Sequence, residues 1–377
     1  MRKMKLIALK DVCKINMGQS PNSSSYNDYG DGMPFFQGNA DFGERYPITR
    51  VWCNTPTKIA QAEDILISVR APIGALNYAK EECCIGRGIA AITPDRNKVS
   101  QDFIYWALKG KKAELNDKGN GSTFKAISRK ILEETMIPDI NFEQQHKCAE
   151  NLEKIYGIIQ NRRKELLALD DLIKARFVEL FGDPRDNSMG FEKQKLKDSC
   201  IVVTGNTPSR AIAEYYGDYV EWIKTDNIVT GLINPTRAKE CLSEKGMEVG
   251  RIVQKDSILM TCIAGSIASI GRVCITDRTV AFNQQINAII PDRYNVLFLY
   301  VLLQISKNYL AEDVNMALKG ILSKSKLEEK QLIVPPIELQ NQFADFVRQV
   351  DKSKVAVQKA LDETQTLFDS LMQEYFG

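Results

Sequence analysis

Histidine is nearly absent: of 377 residues only His146 is one, and the nine cysteines form no C-x-x-C pair. A structural zinc site needs several such ligands at short spacing, so neither zinc nor another metal is expected. Long apolar runs are also missing. The opening MRKMKLIALKDV is basic with a short apolar stretch, well below a signal-peptide core, and nothing approaches the roughly 18 apolar residues of a membrane span. A reducing, cytoplasmic location is the expectation. No G-x-x-x-x-G-K-S/T loop is present for an ATPase. A DNA methyltransferase would need a glycine-rich cofactor loop and N/D-P-P-Y/F, and the nearest strings, Asn54-Thr-Pro and Asn234-Pro-Thr, lack the second proline and the aromatic residue. Pro94-Asp95-Arg96-Asn97-Lys98 superficially offers nuclease carboxylates, but Pro291-Asp292-Arg293 echoes it, and a recurring P-D-R reads as a strand-ending turn. No catalytic, cofactor-binding or metal residue is therefore expected. A net charge of +2 gives no general electrostatic affinity for nucleic acid, so basic residues would have to act locally.

What the chain does have is 44% hydrophobic and 26% charged residues, an ordinary globular balance at a length that predicts two or three domains. It also repeats itself. Leu6 to Pro21 finds its echo in Leu196 to Pro208, each ending in G-polar-S/T-P. Phe35-Phe-Gln-Gly-Asn39 matches Trp222-Ile-Lys-Thr-Asp-Asn227, and Asp64-Ile-Leu-Ile-Ser-Val matches Asp256-Ser-Ile-Leu-Met-Thr, followed by Gly74 and Gly271. Gly86 to Ile92 and Asn283 to Ile289 form a further strand pair, and helical patterns follow at Asp102 and Val296. Both copies close on Ile137-Pro138 and Val334-Pro335. Register drifts from 187 at Gly18 and Gly205 to 197 at these prolines, which places about ten extra residues in surface loops before Gly74.

A long helical pattern follows each exit. Leu152, Ile159, Leu166, Ile173 and Leu180 recur every seven residues, with Cys148, Ile155 and Leu169 on a second seam. In the later helix Phe343, Val350, Val357 and Leu371 form one seam, and Val347, Leu361, Phe368 and Tyr375 the other. Such recurrence predicts a coiled-coil pair, with Arg162, Arg176, Lys354 and Thr364 as polar interruptions that fix register. Phe181-Gly-Asp-Pro184 stops the first helix, and Tyr375-Phe-Gly377 ends the second.

Globular domain, long helix, globular domain, long helix, with each domain opening on G-x-S/T-P, resembles over the whole chain the specificity subunits of type I restriction-modification systems. The resemblance implies an α+β fold. Two tandem mixed α/β target-recognition domains, 1–142 and 185–337, would alternate with spacer helices, 143–183 and 338–377, paired as an antiparallel coiled coil with pseudo-two-fold symmetry. It implies a non-catalytic subunit that binds an asymmetric, bipartite site on double-stranded DNA. The subunit would dock modification methyltransferase subunits, two of them, and through the complex the restriction translocase-nuclease. S-adenosylmethionine, ATP and magnesium would be used by those partners, none by this chain. A specificity subunit of a fused methyltransferase-nuclease, or a duplicated adaptor that binds no DNA, are the alternatives.

Arg, Lys, Asn and Gln read base edges, and small hydroxyls and basic groups hold phosphates. Polar residues at strand ends and in loops of both copies are therefore the DNA-contact candidates. In the first domain these are Gln19, Ser20, Gln37, Asn39, Ser68, Arg70, Arg87 and the Gly119–Lys125 loop with Ser122, Thr123 and Lys125. In the second they are Asn206, Thr207, Lys224, Thr225, Asn227, Thr261, Ser266, Gln284, Gln285 and Lys319. Trp106, at helical spacing with Phe103, and Trp222, in an apolar strand, read as core. Arg162-Arg163-Lys164 reads as a solvated helix face or a partner contact ahead of the alternative, a contact to phosphates.

Overall fold

The computed structural model describes residues 5–120, 125–312, 314 and 320–377. The chain divides into two compact units, one of residues 1–163 with 359–377 and one of 164–358. Two 40-residue helices are shared between them. The helix Phe142–Phe181 gives its first part to the first unit and the rest to the second, and Ile337–Phe376 does the reverse.

In the first unit, strand β1 (Leu6–Ala8) leads through a single helical turn, α1 (Leu9–Val12), into β2 (Cys13–Met17). Next come the short strands β3 (Tyr26–Asn27), β4 (Met33–Phe36), β5 (Trp52–Cys53) and β6 (Ile59–Ala60). The strands β7 (Ile65–Ser68), β8 (Leu76–Tyr78), β9 (Cys83–Ile85) and β10 (Ile89–Pro94) complete two sheets. One is antiparallel, in the order β2-β10-β7-β8; the other is mixed, in the order β3-β5-β4-β9-β6, with β4 and β9 parallel. Helices α2 (Gln101–Gly110), α3 (Lys112–Asp117) and α4 (Arg129–Glu133) follow, and β11 (Met136–Pro138) returns to pair with β1 before the long helix α5 (Phe142–Phe181). Gln145 fixes that exit, its side chain accepting from the Ser100 N–H at 2.7 Å and donating to the Ile140 carbonyl at 2.8 Å.

The second unit repeats the plan. It runs β12 (Lys193–Lys195), α6 (Leu196–Ser199), β13 (Cys200–Thr204), β14 (Tyr216–Gly217), β15 (Val220–Ile223), β16 (Cys241–Leu242), α7 (Glu244–Val249), β17 (Ile252–Val253) and β18 (Ile258–Thr261). There follow β19 (Ile263–Ala264), β20 (Val273–Ile275), β21 (Val280–Phe282), β22 (Ile286–Pro291), α8 (Val296–Ile305), α9 (Lys307–Ala311), β23 (Gly320–Ile321), α10 (Lys324–Glu328), β24 (Gln331–Ile333) and α11 (Ile337–Phe376). Its sheets are β13-β22-β18-β20 and β14-β16-β15-β21-β17, with β15 and β21 parallel. Gln340 takes the role of Gln145, accepting from the Asn295 N–H and donating to the Pro335 carbonyl.

The strand pairings correct the register of the repeat in three places. Ala8 pairs Met136 while Lys195 pairs Gln331, so Asp139 corresponds to Val334 and the two exit prolines are not equivalent. Glu63 and Asp256, both with left-handed φ, occupy the same turn, so Asp256 matches Glu63 rather than Asp64. The extra residues of the second copy include α7 and the longer tip between β18 and β20, and part of the gain is given back before α8.

Within each unit the two long helices run antiparallel. In the first, Tyr156 packs on Phe368 and Asn151 donates to the Tyr375 hydroxyl at 3.3 Å. In the second, Lys354 is paired to Asp170 at 2.7 Å, and Phe177 and Phe181 meet Phe343. Of the seam residues, Leu152, Ile159, Val350, Leu361 and Phe368 are buried, whereas Leu166, Ile173, Leu180, Val357 and Leu371 are only partly covered. The deepest contacts belong to Phe177, Phe181 and Phe376, which face α8 and α2 rather than a helix alone.

Candidate nucleic-acid interface

Glycine builds the candidate site. A Cβ on Gly18 would lie 2.2 Å from the Gly86 carbonyl oxygen, and one on Gly205 would lie 2.2 Å from that of Asn283. Only glycine lets the end of β2 or β13 close on the turn that precedes β10 or β22. The chain stays closed for one more residue, with the Gln19 N–H donating to Ile85 and the Asn206 N–H to Phe282.

This approach brings together residues that are far apart in the sequence. In the first unit the Ser20 hydroxyl accepts from Gln37 Nε2 at 3.2 Å and from the Arg87 N–H at 3.3 Å. Gln37 and Arg87 are exposed, and the Arg87 guanidinium has no ion-pair partner among the described residues. In the second unit the Thr207 hydroxyl donates to Gln284 Oε1, and Gln284 stands where the first unit has Arg87. Lys224, which replaces Gln37, lies 4.9 Å from the centre of the Trp222 ring and reaches Glu240 at 2.7 Å. Arg210 reaches the same carboxylate at 2.8 Å while lying over the Tyr216 ring at 4.4 Å. These hydrogen bonds hold the Glu240 carboxyl down to about 2, so two cations share one carboxylate and the patch keeps a net positive charge.

Each unit therefore presents donors and acceptors of base-reading type on a fixed frame. Ser20, Gln37 and Arg87 come together in one unit; in the other Thr207 meets Gln284, while Lys224, at the position of Gln37, turns to Glu240 and the Trp222 ring. Gln19, Asn39, Thr225 and Gln285 flank them, Gln285 through its N–H on Asn283. Arg70 and Lys125 sit apart, joined by backbone at the β7–β8 tip through the Ala71 N–H on the Lys125 carbonyl. Ser266 lies at the exposed β18–β20 tip against Ser269.

Other candidates need correction. Ser68 is fully buried, its hydroxyl spent on the Pro72 carbonyl and the Ala75 N–H, and Thr261 occupies the same buried place in the second unit. Asn227 is buried too, accepting from the Lys224 N–H and donating to Thr236 and Arg237. Asn206 staples its loop, taking the Arg251 N–H and giving to the Val249 carbonyl. Ser122, Thr123 and Lys319 lie outside the described residues. The sequence reading missed Arg210 and its acceptor Glu240. A basic residue immediately after the G-N-T-P-S turn was the available signal.

Among the described residues no helix is long and apolar enough to cross a membrane. The family model described as the type I restriction modification DNA specificity domain matches residues 1–168 and 189–364. A Methanocaldococcus jannaschii MjaX type I restriction enzyme specificity subunit is 47% identical over 152 residues, 40% of this chain and 36% of that one, so the match spans about a third of that relative. The MjaIX specificity subunit of the same organism is 24% identical over 97% of this chain and 90% of its own length. Among solved structures, the S subunit of a type I restriction-modification system from M. genitalium superposes with a TM-score of 0.63 at 15% identity, covering 100% of this chain and 97% of that one, which shows a shared fold. With both halves of the chain matched in order, the protein belongs to the type I restriction-modification DNA specificity family.

Proposed function

We propose that this chain reads DNA for a type I restriction-modification complex, each unit taking one half of an asymmetric, split site. The observation that supports this best is the set of three positions that strand register matches between the units. They are held by the same glycine approach on the same sheets yet carry different side chains, Ser20, Gln37 and Arg87 against Thr207, Lys224 and Gln284. Equal frames with unequal readers would bind unequal half-sites. The long helices set the gap and dock two methyltransferase subunits, and through these the translocase-nuclease. The chain itself performs no chemistry, and S-adenosylmethionine, ATP and magnesium serve its partners.

Mapping methylated bases genome-wide in cells carrying R87A or Q284A tests this. Loss of one base contact costs about 1–3 kcal/mol of discrimination. R87A should therefore relax or weaken one half-site only, and Q284A the other. Identical effects of both substitutions on both half-sites, or no effect of either, would refute it.

A further inference from the structure

The second unit holds a cavity of about 600 Å³ at the place where the first unit packs the Trp106 ring. It is lined by Ile173 and Val178 of α5, Tyr300, Val301 and Ile305 of α8, and Val347 of α11, with Arg272, Lys307 and the Lys354–Asp170 pair among the polar groups. The reason is visible in the repeat. Where Val301 stands, the first unit has Trp106, whose ring packs edge-on against Tyr156 and Phe368 at 5.5 and 5.7 Å with Lys109 4.8 Å from its centre. Ile173 stands for Phe368 and Asp351 for Tyr156. Arg45, bound to Glu153 over that cluster, has Ile233 in its place. Three large rings have been removed, and the space they filled remains.

The cavity is not electrically neutral. Lys354 is answered by Asp170 and Lys174 by Asp171, but Arg272 and Lys307 are answered by no acid among the described residues. Arg272 Nε is buried without a hydrogen-bond partner, and Lys307 donates only to the Ala268 carbonyl at 2.6 Å. A buried guanidinium N–H without a partner among the described residues, beside a second cation, favours an anion that would join them. Burial and then the Arg272 charge pull the Lys307 ammonium below the usual lysine range, in keeping with that preference.

We propose that this cavity binds a small aromatic carboxylate, its ring where the first unit keeps the Trp106 indole and its carboxylate on Arg272 and Lys307. The filled twin shows that a flat aromatic body suits the position, and Arg272 and Lys307, without an acid partner among the described residues, supply the head-group specificity.

1-Naphthoate is a suitable probe, titrated into the full-length chain by fluorescence and calorimetry. Saturable one-to-one binding is expected, weakened about tenfold or more by R272A and for the neutral analogue 1-naphthalenemethanol. V301W refills the cavity as the first unit does and should abolish binding while leaving the unfolding temperature unchanged or higher. Absence of saturable binding to the folded chain, equal binding to V301W, or equal binding of the neutral analogue would overturn the proposal. A ten-residue peptide ending in tryptophan separates a free acid from a chain terminus of the same chemistry. If it competed as well as 1-naphthoate, assignment to a free acid would fall.

Discussion

Removing the Phe368 ring should loosen the recognition domain at the other end of the chain. Phe368 lies on α11 but belongs to the first unit, buried to 7% exposure, with its ring 5.7 Å from Trp106 of α2 and 6.1 Å from Tyr156 of α5. Truncating a buried phenylalanine to alanine costs roughly 3–5 kcal/mol. One edge-on and one tilted ring contact push the value up and the remaining exposure pulls it down, giving about 3–4 kcal/mol for Phe368→Ala. A loss of that size multiplies the population of open forms by roughly 150- to 900-fold. Hydrogen exchange resolved by mass spectrometry reads it directly. Peptides from α2 should exchange roughly 150- to 900-fold faster, while peptides from α8, whose rings Phe298 and Tyr300 pack within the second unit, should change little. If α8 loosened as much as α2, or if α2 were unaffected, the division of the two long helices between the units would be wrong.

Glu221 offers a pH test. Burial alone would raise its carboxyl, but hydrogen bonds from Arg278, the Ala238 N–H and Arg237 outweigh that and hold it down to about 2. Its folded value lies below the unfolded one, so the stabilisation is present above about pH 4.5 and is lost as pH falls toward 2. E221Q should cost about 2–3 kcal/mol at pH 7 and progressively less under acid conditions in urea titrations, and a difference constant with pH would contradict this. Gly205→Ala, which drives a Cβ into the Asn283 carbonyl, should destabilise by about 2–3 kcal/mol and, on the proposed function, weaken the half-site assigned to the second unit. Unchanged urea midpoint and methylation pattern would show that the close approach is dispensable. Because both long helices pass from one unit to the other, a ruler test lengthens both, with four residues after Arg163 and four after Gln358. Each helix gains about 6 Å, so mapped methylation should show unchanged half-sequences with a gap longer by roughly one or two base pairs, and altered half-sequences with the old gap would count against the helices as the spacer.

The repeat and the helices were legible because they are carried by local rules. Gly18 and Gly205, the G-x-S/T-P turns and the seven-residue recurrence each announce a backbone requirement that no other residue type meets as well. Burial was less legible. All four residues of β7 and all four of β18 are buried, so the alternation that marks a half-exposed strand is missing there, and Ser68 and Thr261 look like strand-end readers although they lie inside. Asn227 misled in the same way, since an asparagine that ends a strand can as readily close a turn on Lys224 as face a base. The heptads also say only that a helix packs, not on what. Phe177 and Phe181 fall between the seams because their partner is Phe298 on α8.

Comparing the chain with itself has a physical limit, and that limit falls on the residues that matter most. What the two copies share is what the frame demands, and it marks Gly18 with Gly205 and Gln145 with Gln340. On the proposed function, residues that read two different half-sites have to differ, and the matched positions do: Gln37 answers to Lys224 and Arg87 to Gln284. Neither pair resembles its counterpart in charge. The salt bridges of Arg210 and Lys224 to Glu240 have no equivalent in the first unit because Gln37 carries no charge to be held there. The same reasoning covers the interior, where Trp106 in one unit answers to Val301 in the other and leaves a cavity that pattern matching scores as a conservative apolar position. Function in a duplicated protein of this kind resides in the positions where the frame is equal and the side chains are not, and those positions become visible only once strand register has paired them.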